Sequence, residues 1–359
     1  MYMKNMKKTL TAIILSAIAA GVLAGCTGTD ETSVSSAETD VTVVTDETIV
    51  TTPTSEPTLQ TTEKEMGHFE FRPVVVSSIF REIMGEDMYE AYCNYVDAIR
   101  AGEDSFGVKD QTTYDWMLGQ FPGKFYPVAE VYTESDYEGA VSNGRGTFHY
   151  TTSPEDFAEK NADFEKLVTG ILNENLRDGY SDFEKVLALY IYFARNYTYD
   201  NDTYLEMRDH PVSGLSACRF LTTNTGICSE CAPAFSYLLL QAGVDATTVC
   251  GYDHEWSYVT INGRNYHVDP TYALGTDVDL TYLMMTDERR EEEGGFPKSD
   301  NIVASRYRDD RNGDQYDADD GFFDGLAKAC LYDWDPDANL IYYYDENADQ
   351  QVFDYSAFE

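Results

Sequence analysis

A thiol, an imidazole and a carboxylate stand in the order Cys228, His254, Asp269, and these three types together can carry out nucleophilic catalysis. A thiol attacks well when it is held as thiolate, which a helix N-terminus and a nearby imidazolium both favour. An imidazole acts as a base when a third group fixes its tautomer. Whether the three meet depends on the elements around them. After Cys228, the residues Ala232, Phe235, Leu238, Leu239 and Ala242 keep the apolar stripe of a helix, and Gly243 suits its C-terminal stop. Proline is tolerated in a first helical turn, so Pro233 predicts a start near Ser229, with Cys228 at the N-terminal end.

Three strand-like runs follow, Ala246–Tyr252, Glu255–Ile261 and Arg264–Asp269, the last two separated by Asn262-Gly263. That dipeptide is the strongest short hairpin signal. A two-residue loop there pairs Ile261 with Arg264, which sets Tyr258 opposite His267 and Trp256 opposite Asp269. His254 shares the face of Trp256, so it becomes the diagonal neighbour of Asp269, close enough for an imidazole and a carboxylate to touch. Docking of the Cys228 helix on the hairpin follows from two apolar faces that need cover.

Upstream, Val74 to Gly102 has helical periodicity through Ile79, Ile83, Tyr92, Tyr95, Val96 and Ile99. Ala129–Tyr132 and Gly146–Thr151 read as strands around a turn-rich SNGRG. Ser153-Pro154 opens a helix towards Arg177, and Ser181 with Glu184 forms a capping box before an apolar core helix, Lys185–Tyr197. No repeat of solenoid length recurs.

The chain of 359 residues is 43% hydrophobic and 14% aromatic, so most of it can bury a core. It carries 64 acidic against 25 basic residues, a formal charge of -39. Such a field repels phosphate backbones, which excludes nucleic acid as a partner, and reads as a solvated, self-repelling surface. Lys4, Lys7 and Lys8 precede an apolar Leu10–Val22, the pattern of an export signal too short to be a membrane span. Leu23-Ala24-Gly25-Cys26 resembles the lipobox of bacterial lipoproteins, which implies a signal peptide over 1–25, lipid attachment at Cys26 and a place at the outer face of the cell membrane. Residues 26–66, rich in Thr, Ser, Asp and Glu, read as an acidic tether between lipid and domain. Cys93, Cys218, Cys228, Cys231, Cys250 and Cys330 are too scattered for a disulfide framework and are expected to be mostly free thiols.

The string TGICSECAPAFSYLLLQAGVDATTVCGYDHEWSYVTINGRNYHVDPTY resembles the core of the transglutaminase-like superfamily. Bacterial members of that superfamily show a G-x-C with Ala four residues on, then a helix, an H-x-W and a D-x-T. Gly226 and Cys228 match the nucleophile turn, Ala232 the helix start, His254 and Trp256 the base motif, and Asp269-Pro270-Thr271 the acid motif. The resemblance implies an α+β fold of papain-like type, with a nucleophile helix packed on an antiparallel sheet. It implies acyl transfer from an amide through Cys228, His254 and Asp269. The residues themselves give no cofactor or metal site to expect. Many relatives carry Gly-Tyr where this chain has Glu230-Cys231, which puts a second thiol and a carboxylate by the nucleophile. An adjacent carboxylate is expected to oppose the thiolate and to favour substrates bringing positive charge. The Cys228 N–H is the expected half of an oxyanion hole.

Other readings of the same residues stand beside this one. Cys228, Cys231, Cys250 and His254 have zinc-ligand types, Cys228-x-x-Cys231 has the form of a redox dithiol, and His267 shares the face of Asp269 and is the rival base. The run Asp309–Asp320 has a calcium-loop composition but lacks the EF-hand register, with no Gly at its sixth place and no Glu at its twelfth, and reads as a solvated loop. The expected organisation is an N-terminal, mainly helical extension over 67–150, the transglutaminase-like core over 151–290 and an acidic C-terminal extension over 291–359 packing on it. A cysteine peptidase acting on a protein or peptide is the first expectation. A cross-linking transglutaminase is the second, and a surface binding or scaffold protein without turnover the third.

Overall fold

The computed structural model describes residues 66–135, 141–251, 253–295 and 316–359. The expected export signal with Cys26, nearly all of the tether, and Asp309 to Gln315 of the acidic run lie outside the described residues.

The described chain begins with helices α1 (Ser78–Met84) and α2 (Glu86–Ala101), strand β1 (Ser105–Gly107), helices α3 (Gln111–Gln120), α4 (Pro122–Phe125) and α5 (Pro127–Tyr132), and strands β2 (Thr133–Ser135), β3 (Val141–Ser142) and β4 (Arg145–Tyr150). The single helix expected over 74–102 is broken at Gly85, whose φ of 77° and ψ of 176° no helix accommodates. The strand expected over Ala129–Tyr132 is the short helix α5 instead. Pro127 sits in its first turn with φ preset for a helix, and a run that short carries no period to argue otherwise. Asn143 and Gly144, both with positive φ, make the two-residue turn between β3 and β4.

Next come α6 (Pro154–Asn175), α7 (Asp182–Asn196), β5 (Thr198–Tyr199), α8 (Asn201–Met207), α9 (Ala217–Thr223), β6 (Thr225–Gly226) and α10 (Cys228–Gln241). Ser153 caps α6 through the Asp156 N–H. At α7 both bonds of the capping box form: Glu184 N–H donates to Ser181 Oγ at 3.2 Å and Ser181 N–H to Glu184 Oε2 at 2.8 Å.

Strands β7 (Asp245–Cys250), β8 (Glu255–Ile261) and β9 (Arg264–Val268) form one antiparallel sheet in sequence order. Beyond it lie a 3-10 turn (Pro270–Ala273), α11 (Asp287–Gly294), a second 3-10 turn (Gly321–Leu326) and a separate antiparallel meander, β10 (Cys330–Asp335), β11 (Leu340–Tyr344) and β12 (Gln350–Asp354). This is an α+β fold with a helical N-terminal part. Among the described residues no helix is long and apolar enough to cross a membrane.

Helix α10 is the centre of the packing. Phe235, Leu238 and Leu239 are wholly buried, each contributing about 1.5–3 kcal/mol of hydrophobic stabilisation. Its seam with β8 carries a polar lock: Ser236 Oγ–H donates to Ser257 Oγ at 2.9 Å, and Ser257 Oγ–H donates to the Ala232 carbonyl at 3.2 Å. The C-terminal segment closes over α7. Phe183 stacks on Phe323 with centroids 4.6 Å apart, and Tyr355 O–H donates to Glu184 Oε1 at 2.9 Å.

Candidate active site

Helix α10 starts at Cys228, one residue earlier than Pro233 predicts, so the proline stands in the second turn and cannot donate to the Ser229 carbonyl. The turn before it is fixed on three sides. Strand β5 pairs in parallel with β6, Thr198 with Thr225 and Tyr199 with Gly226. A Cβ at Gly226 would meet Phe220 Cδ2 at 2.6 Å and Glu230 Oε2 at 2.8 Å, so only glycine lets the chain pass there. Cys228 itself is 9% exposed, reachable but largely enclosed.

Glu230 does not crowd the sulfur as expected. It points the other way, wholly buried, and accepts from the N–H groups of Ser216 (3.0 Å) and Ile227 (3.2 Å) and from Arg219 Nε (2.7 Å) and Nη2 (2.6 Å). Its charge is met by a forked guanidinium and spent on holding the nucleophile turn, which removes the basis for a substrate-attracting carboxylate at this position. Replacing Arg219 by alanine strands that carboxylate. The expected result is a loss of about 3–5 kcal/mol, read as a lower urea midpoint with unchanged slope. Cys231 is also turned inward, with no exposed surface, and burial pushes its thiol well up.

The Asn262-Gly263 loop takes positive φ at both residues, 54° and 73°, and the register is Ile261 with Arg264 and Tyr258 with His267. His254, just before β8, therefore reaches Asp269, just after β9. His254 Nε2 donates to Asp269 Oδ2 at 2.7 Å, while Asp269 Oδ1 accepts from the Thr271 N–H at 3.2 Å. The carboxylate is wholly buried and the imidazole 11% exposed. With Nε2 taken by Asp269, the other ring nitrogen serves Cys228, whose thiol is in hydrogen-bonding contact with the ring. Burial works against the imidazolium, but the charge and hydrogen bond of Asp269, with those of Cys228, outweigh it and lift His254 to about 10. The three residues singled out in sequence are thus brought together.

His267 is placed differently. It is buried, its Nδ1 accepts from Trp256 Nε1–H at 2.9 Å and its Nε2 donates to Asp287 Oδ1 at 2.9 Å. Burial pushes its pKa down, so it stands as a neutral packed histidine. Among the described residues no group of three or more His, Cys, Asp or Glu side chains is arranged to hold a metal ion, and none of Cys93, Cys218, Cys228, Cys231, Cys250 and Cys330 is joined in a disulfide.

Several neighbours of the site were not legible in sequence. Tyr272 lies with its ring centroid 5.2 Å from that of His254 and stacks on Tyr282 at 4.4 Å. It is 45% exposed, and Tyr199 stands near the sulfur as well. Position next to the acid motif is the one signal that could have marked Tyr272. Tyr199, Arg219, Asp287 and Arg290 carried none.

Residues 171–274 match the model of the transglutaminase-like superfamily, a span that holds Cys228, His254 and Asp269. The chain carries a transglutaminase-like domain. Kyphoscoliosis peptidase of Mus musculus is 28% identical over 132 residues, which cover 32% of this chain and 19% of that relative's length. The transglutaminase-like domain so defined begins within α6 and ends just after the first 3-10 turn, so α11 and the β10–β12 meander lie outside it.

Proposed function

We propose that this protein is a cysteine peptidase that cleaves amide bonds by acyl transfer through Cys228, His254 and Asp269. The reading rests on one observation: the His254 ring is hydrogen-bonded both to the Asp269 carboxylate, at 2.7 Å through Nε2, and to the Cys228 thiol. The Cys228 sulfur reacts as a thiolate beside the His254 imidazolium, which Asp269 holds in place. The sulfur attacks the amide carbonyl, and the Cys228 N–H, unbonded within its own helix because it is in the first turn, faces the developing oxyanion. His254 then protonates the amide nitrogen, the C–N bond breaks and the amine leaves. Water, giving a proton to His254, attacks the thioester and releases the acid and the Cys228 thiolate, which leaves His254 as imidazolium again.

Water rather than an amine is the acceptor in this reading, which the peptidase name of the relative supports. The substrate is a protein or peptide outside the cell, reached from a lipid anchor at Cys26 across the acidic tether. The test is to incubate the full chain with a peptide library and a labelled primary amine. New N-termini that vanish in Cys228→Ala are expected. Amine incorporation in excess of new N-termini would make the protein a cross-linker. Retention of library peptides without turnover would make it a binding protein.

A further inference from the structure

Helix α11, outside the matched segment, places two charged residues one turn apart behind the site. Asp287 accepts from His267 through Oδ1 and from the Ala318 N–H through Oδ2, each at 2.9 Å. Because an indole N–H only donates, the Trp256 bond fixes the His267 proton on Nε2, and the chain Trp256–His267–Asp287 holds the indole rigidly. Arg290 is 1% exposed. Its Cζ lies 4.0 Å from the Trp256 ring centroid, and its Nη2 lies 3.7 Å from Asp269 Oδ2, the same oxygen that accepts from His254. A side chain at Gly294 would collide with that guanidinium, so the last turn of α11 leaves room for it.

We propose that Arg290 is a positioning residue for acyl transfer: its guanidinium, laid on Trp256, holds the charged Asp269 carboxylate towards His254. The inference rests on the acyl-transfer reading of Cys228, His254 and Asp269. Burying a cation costs several kcal/mol, and an apolar side chain would fill the same space behind Trp256 at less cost. The planar, weakly hydrated guanidinium suits a stacked site beside a carboxylate. Tyr190, Tyr272, Tyr282 and Cys231 are pushed up, and His267 down, all chiefly by burial. The groups that respond to the Arg290 charge are Asp269, His254 and Cys228 at the site, His267 beside Trp256, and Asp287 on its own helix.

A cation favours the loss of protons from neighbouring acids, so its removal moves those losses to higher pH. The test measures iodoacetamide labelling of Cys228, by peptide mass, across pH in the full chain. In Arg290→Met the acid limb of the rate profile is expected to move up by about one unit, a tenfold slower reaction at a given acidic pH. Arg290→Lys restores the charge and most of the limb. Gly294→Ala, which keeps the charge and displaces the guanidinium, moves the limb in the same direction as Arg290→Met and serves if that variant does not fold. Variants that are folded by circular dichroism and slow at every pH with the limb unmoved would overturn the proposal and leave the acyl-transfer reading intact. Wild-type Cys228 labelling no faster than Cys93 or Cys330 would sink that reading, and this proposal with it.

Discussion

Replacing His254 by alanine is expected to lower kcat/KM for amide cleavage by about 10⁶-fold, the loss seen when one member of a nucleophile–base pair is removed. The size follows from the double use of one ring. The His254 imidazolium gives its proton to the leaving nitrogen and the ring then takes one from the attacking water, and no neighbour stands ready to replace it. His267, the nearest alternative by sequence, is bonded at both nitrogens to Trp256 and Asp287 and held neutral. The substitution also has a stability signature with a definite sign. His254 is raised from 6.5 to about 10 in the folded chain, so the native state holds a proton that the unfolded state releases. That stabilisation is complete below about pH 6.5 and fades as pH rises through about 10. The difference in urea midpoint between wild type and His254→Ala is therefore expected to be widest near neutral and acid pH and to narrow in alkali. A kcat/KM within tenfold of wild type would rule His254 out as the base.

Asp269→Asn is expected to lower kcat by about 10⁴-fold while leaving KM within a few-fold, because an amide keeps the shape of the acid but favours the wrong tautomer of the base. The proton affinity of His254 should fall at the same time. Burial alone disfavours the imidazolium, and Asp269 is the main opposing influence. Without that charge the His254 titration, followed by the ring-proton shifts, is expected to drop from about 10 to near or below its ordinary 6.5. A variant with lowered kcat and an unchanged His254 titration would assign Asp269 to packing alone.

The hairpin was legible because Asn262-Gly263 admits few turns, and a two-residue loop dictates every pair along β8 and β9. The meeting of His254 with Asp269 is a consequence of parity. Helix α10 was legible from its stripe, although its start lay one residue earlier than the proline suggested. The misreadings are local and physical. Gly85 divides a helix whose period runs on unbroken through the sequence, and Pro127 turns an apolar run into a helical turn. Glu230 was misjudged because its partner, Arg219, comes from a different helix, and nothing in a local pattern shows a contact of that kind. Asp287 and Arg290 were hidden for the same reason. Nothing in the acidic, polar octapeptide Asp287–Gly294 marks which charges turn inward, yet Asp287 meets His267, Arg289 meets the carbonyls of Leu280, Thr281 and Phe323, and Arg290 meets Trp256 and Asp269.

The most direct measurement is the mass of the intact protein after brief exposure to amide substrate and an acid quench. A mass increase equal to the acyl fragment is expected, mapped by peptide digestion to Cys228 as a thioester, discharged by hydroxylamine and missing from Cys228→Ala. Turnover of substrate with no adduct on Cys228, or an adduct that persists in Cys228→Ala, would contradict the account.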